Sequence, residues 1–177
     1  MPLTLHAALI PGWQQIIGSA RKLIDTAREH CAAHGIAESD LVEARLIADM
    51  HPFSYQIKSC DVHSRGAIEG VRGGLFVPDR SEPPATLDAL AERLDTTLAF
   101  LAALDPAELD SFVGKDLVFT IGSKFRREFT AENFLLGFSQ PNVYFHATTA
   151  YALLRMKGVA IGKADYLGAL PVKSTAA

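Results

Sequence analysis

Apolar residues recur every three or four positions through most of this chain, a rhythm that predicts four long helices. The first pattern runs from about Thr4 to His34. Leu9, Trp13, Ile16, Ala20, Leu23 and Ala27 share one face, while Arg21, Lys22, Arg28 and Glu29 turn away. Pro11-Gly12 interrupts it near the start, and Gly35 supplies a C-terminal stop. A short helix is expected from Ser39, where Ser39-Asp40 offers an N-cap and Glu43 follows. Pro52 suits the first turn of a second long helix reaching about Val71, with Phe53, Ile57, Ser64, Ile68 and Val71 on its core stripe. Gly73-Gly74 ends it, and Val77 to Ala85 reads as a loop rich in Pro, Asp, Arg and Ser. Thr86 caps a third helix with the stripe Leu87, Leu90, Leu94, Leu98 and Leu101, stopped by Asp105-Pro106.

The period then changes. Leu117 to Thr120 and Lys124 to Phe129 flank Ile121-Gly122-Ser123 and read as a small hairpin, the chain's only strand signal. Thr130 caps a fourth long helix that reaches Lys157 before Gly158, with Pro141 inside it as a kink or a division. From Val159 the chain is expected to be extended or irregular, with residues 169–177 as a disordered tail. The expected fold is mainly α. It is one domain over residues 1–177, a four-helix bundle with a small β-hairpin between the third and fourth helices.

Composition narrows the function classes. With 177 residues, 49% of them apolar, the chain can build a core without disulfides or metal staples. A net charge of -3 gives no electrostatic reason to expect nucleic acid or an anionic membrane as partner. Cys31 and Cys60 have no short spacing and read as small core residues, not a disulfide framework or a zinc set. The start, Met-Pro-Leu-Thr-Leu-His, has no basic region followed by an apolar run, and no stretch reaches membrane-spanning length without charge. A cytoplasmic protein is the expectation.

The candidate chemistry lies on two helices. Val143, His146, Ala150 and Leu153 fall on one stripe, so His146 is an imidazole on an apolar face. Asp61 projects in the same way among Ile57, Ser64 and Ile68. A carboxylate and an imidazole in a bundle core satisfy each other, or pair with Asn142 and a backbone group, or hold a divalent metal. His6, bordering the stripe of the first helix, is the available third ligand. His51 reads as a capping or packing residue before Pro52, and His63 as a surface residue. His30 and His34, four apart at a helix end, suit the dipole there and form a lesser metal option. Tyr144 and Tyr151 lie opposite His146, so the fourth helix must be covered on more than one side. The cover is either the hairpin and tail or a second copy in a homodimer.

Three segments carry a family resemblance: Ala48-Asp49-Met50-His51-Pro52, the run from Pro141 to Arg155, and the run from Gly158 to Gly168. With the helix order, they resemble an uncharacterised branch of the DinB-like (DinB/YfiT) superfamily of four-helix bundles, a branch of domains of unknown function. The resemblance implies a metal held by one histidine on the second helix and a His-x-x-x-His pair on the fourth. Here His146 keeps the first position of that pair, the position four later is Ala150, and the inward polar residue of the second helix is Asp61. Two readings follow. One is a non-catalytic bundle that binds a small ligand or dimerises. The other is a zinc- or nickel-dependent hydrolase or thiol transferase, with Asp61 and His146 as ligands and His6, Asn142 or water completing the shell.

Overall fold

The computed structural model describes residues 3–173. Its helical elements are α1 (Leu5–His34), α2 (Glu38–Val42), α3 (Phe53–Val62), α4 (Arg65–Gly73), α5 (Leu87–Ala102), α6 (Pro106–Asp110), α7 (Ala131–Phe134), a π-helical turn (Leu135–Ser139), α8 (Gln140–Met156) and α9 (Lys163–Leu167). The strands are β1 (Leu75–Phe76), β2 (Asp116–Ile121) and β3 (Phe125–Thr130). The bundle consists of α1, the α3–α4 pair, α5 and the α7–α8 run. α1 packs on α5 and α8, and α3 packs on the same two helices. Trp13, Phe53, Ile57, Leu90, Leu94, Val143 and Leu153 are fully buried in its core.

Most caps follow the sequence. The Thr4 and Thr86 hydroxyls accept from Ala7 and Ala89, and Gly35 closes α1 in the left-handed conformation. The predicted hairpin forms with Val118 opposite Glu128. The loop ahead of it contributes an unpredicted strand, β1, parallel to β2. This strand crosses α4 closely, and a Cβ on Gly70 would come within 3.0 Å of the Phe76 ring. Glycine there lets the sheet lie on the bundle.

Three other expectations need correction. The second long helix is two helices, because its backbone breaks at Ser64 (φ -116°, ψ -83°), whose hydroxyl donates to the Cys60 carbonyl at 2.6 Å. The fourth helix contains a π turn immediately before Pro141, where the Gln140 N–H reaches back to Leu135. Proline removes one donor and crowds the carbonyl four residues earlier, and the wider turn relieves both. The tail, finally, is not irregular throughout. α9 packs on α1, the Gln15 amide donates to the Leu167 carbonyl at 2.7 Å, and Tyr166 meets Tyr151 edge to face. Residues 169–173 have no regular structure, and the rest of the expected disordered tail lies outside the described residues. No helix among the described residues is long and apolar enough to cross a membrane.

Candidate functional site

Asp61 sits in the last turn of α3 and is 1% exposed. A buried carboxylate needs partners for up to four lone-pair sites, and Asp61 finds all four. Arg65, brought round by the Ser64 break, donates from Nε to Oδ1 at 2.7 Å and from Nη2 to Oδ2 at 3.0 Å. From α5, Arg93 Nε reaches Oδ2 at 2.7 Å and the Thr97 hydroxyl donates to Oδ1 at 2.8 Å. Hydrogen bonds to Asp61 hold the Arg65 guanidinium still more firmly protonated than usual. The chain of charge continues outward. Arg93 Nη2 lies 3.2 Å from Asp79, which also pairs with Lys58 Nζ at 3.2 Å, and Arg65 pairs with Glu69. Lys58 is itself 1% exposed and donates to the carbonyl and hydroxyl of Ser81. Burial pushes the Asp79 carboxyl up, but hydrogen bonds from Ser81 and Lys58 outweigh it and hold the group well below the usual carboxylate range.

Above this network lies a cleft of about 410 Å³. Its floor is Asp61, Arg65 and Arg93, its rim Glu69 and Asp79, and its apolar wall Leu75, Phe76 and Val77. The cleft therefore offers fixed charge of both signs beside apolar surface, the usual make-up of a small-molecule site.

His146 does not meet Asp61. Its Nδ1 lies 2.7 Å from the Gln56 side-chain oxygen, and its ring stacks against His63, with centroids 5.6 Å apart and planes at 13°. Tyr55 approaches it edge-on at 6.1 Å. His63, expected on the surface, is 9% exposed because the helix break turns it inward against Phe76 and Phe138. Its Nδ1 is buried without a partner. Burial, then the neighbouring imidazole, lowers the His63 pKa to about 3; burial and then His51 lower that of His146 to about 4. Both rings are neutral at pH 7.

The other expected residues are dispersed. The His6 backbone N–H donates to Asp110 at 2.9 Å, which fastens the start of α1 to α6. The Asn142 amide donates to the Phe138 carbonyl at 2.8 Å, stitching the π turn. His51 packs, as expected, in a stack on Tyr55. The His30 and His34 rings lie together with their planes tilted by 32°, and His34 Nδ1 lies 2.9 Å from the His30 carbonyl oxygen. Cys31 and Cys60 are buried, and burial pushes the Cys60 thiol up to about 12. Tyr144 and Tyr151 are half-buried within the chain, against Gly12 and Tyr166.

The expected metal set does not fit. Every acceptor site of Asp61 is already used, His146 lies elsewhere, and residue 150 is alanine. Among the described residues, no group of three or more His, Cys, Asp or Glu side chains gathers as a metal requires.

Sequence reasoning missed Arg65, Arg93, Thr97, Gln56 and Lys58. One signal was available: Arg65 stands four after Asp61, the spacing at which side chains meet on a helix.

Comparison with known proteins agrees with the fold. A crystal structure of a DinB family member protein from Shewanella denitrificans superposes with a TM-score of 0.81 over 97% of this chain and 96% of that one, at 24% identity. No curated protein matches the sequence. The family described as a domain of unknown function, DUF1993, matches residues 5–167. The chain shares its fold with that DinB family member and belongs to the DUF1993 family.

Proposed function

We propose that this chain is a non-catalytic binding protein for a small polar molecule, which it takes up in the cleft above Asp61. The observation behind this reading is the cleft floor, a carboxylate with four donors on its two oxygens and two guanidiniums fixed by it. Arginine does not give up its proton, and this carboxylate has no free lone pair with which to take one. Such a floor orients a ligand without exchanging protons with it. Arg93, Glu69 and Asp79 supply the polar contacts, and Leu75 and Val77 receive the apolar part.

Leu75 is 50% exposed, so Leu75→Trp fills the cleft without disturbing the core. In a thermal-shift screen of small metabolites, a ligand of this site raises the melting point of the parent chain and not of Leu75→Trp. Failure of every compound, or shifts that survive the substitution, would count against the cleft. Turnover of a hit would count against a non-catalytic role.

A second reading, a zinc- or nickel-dependent enzyme of hydrolase or thiol-transferase type, draws support from a different pair. His63 Nδ1 is buried and unpartnered beside His146, two imidazoles facing each other next to Phe76 and Phe138. Elemental analysis of the purified chain decides it. Near-equimolar metal that is lost in His146→Ala supports this reading, and metal-free protein with no zinc- or nickel-induced stabilisation removes it.

A further inference from the structure

A second cleft, of about 300 Å³, opens between the start of α3 and the Pro-rich strap, and shares Asp79 with the first. Its lining includes Arg45, His51, Tyr55, Arg80 and Glu82. We infer that it binds a small flat anion, an aromatic ring bearing a carboxylate, with the ring against His51 and Tyr55 and the carboxylate on Arg45 and Arg80.

Charge is the first support. Asp79, the other acid in the lining, is committed to Lys58 and Arg93. Arg45 donates one N–H to the Met50 carbonyl, and among the described residues neither Arg45 nor Arg80 forms an ion pair. Two guanidiniums therefore stand against one uncommitted acid, Glu82. A guanidinium fork matches a carboxylate in shape as well as in charge. The α3 N-terminus, which has no side-chain cap, adds positive potential at the same end.

Shape is the second. The His51 and Tyr55 rings are stacked, with centroids 3.8 Å apart and planes at 16°, and both line the cleft. A flat ring extends such a stack, whereas a compact anion leaves it unused. Pro52, Pro78 and Pro83 complete the wall, and their fixed backbone limits the ordering cost of binding. The volume suits a single ring with one substituent. None of this depends on what occupies the first cleft.

The test is a titration of the full chain with benzoate, benzamide and acetate, followed by NMR of the His51 and Tyr55 ring resonances. Benzoate shifts both rings saturably, and benzamide and acetate bind at least about tenfold more weakly, since each lacks one half of the recognition. Arg45→Gln and Arg80→Gln, both at exposed positions, each weaken benzoate about fivefold or more without changing the melting point. Leu75→Trp leaves benzoate binding intact. Absence of a saturable shift, equal binding of acetate, or unchanged affinity in both arginine variants would overturn the assignment. Loss of benzoate binding in Leu75→Trp would move the ligand to the first cleft and overturn it as well.

Discussion

Asp61 and the His63–His146 pair are both polar centres withdrawn from water near the end of α3, Asp61 and His63 buried and His146 half-buried, yet they settle the cost of burial in opposite ways. Asp61 surrounds its carboxylate with four donors, two from α4 and two from α5. The imidazoles give up charge, and one nitrogen goes without a partner. A group that must stay ionised recruits neighbours; a group with a neutral form near physiological pH can do without them. The first arrangement fixes geometry between helices. The second leaves the chain dependent on pH.

Breaking the first centre has the largest expected effect. Asp61→Asn leaves two half-buried guanidiniums short of a counter-charge and costs about 3–5 kcal/mol, measured by urea denaturation at pH 7. A loss below about 1 kcal/mol would mean that the network is not a stabilising clamp.

The second centre is read by lowering the pH in the presence of a chelator. Above the ordinary imidazole value of 6.5 neither the folded nor the unfolded chain protonates these rings, and their contribution to stability is fully present. Between 6.5 and the folded values of about 4 and about 3, only the unfolded chain takes up protons, so stability falls as the pH falls. From pH 7 to pH 5 the pair accounts for a loss of about 2–4 kcal/mol. His63→Phe removes the orphaned nitrogen from an aromatic box. It halves this slope while leaving stability at pH 7 unchanged or slightly higher, and an unaltered acid slope would show that the rings are not the source.

Asn142→Ala tests a polar contact of the neutral kind, the bond that ties the π turn, and costs about 1 kcal/mol in the same denaturation assay. Smallest of all is Glu69→Gln. It removes an ion pair whose side chains are 28% and 49% exposed, for under about 0.5 kcal/mol. A larger loss there would extend the clamp of Asp61 to the surface.

Regular elements were legible from the sequence because their causes are local. The Leu87 to Leu101 stripe, the caps at Thr4 and Thr86 and the Gly122 turn each act within a few residues. The site was legible only in part. Helical phase placed Asp61 and His146 inward, but it carried the second helix unbroken through Ser64 and so put His63 outside. The break at Ser64 rotates everything after it, and a hydrophobic periodicity does not register it. Arg93, Thr97 and Gln56 were unreadable for another reason. Their partners lie 32 to 90 positions away, and only the packing of α3 against α5 and α8 brings them together.

The docking of α9 on α1 sets an order of events in time. Gln15 waits for the Leu167 carbonyl, 152 residues later, and the same helix takes α5 and α8 as neighbours. A ribosome therefore releases α1 long before any of the surfaces that cover its apolar face exist. During synthesis that face, with Trp13 at its centre, is the stretch most in need of shelter. Completion of the fold is a long-range event, which α8 and α9 trigger as they emerge.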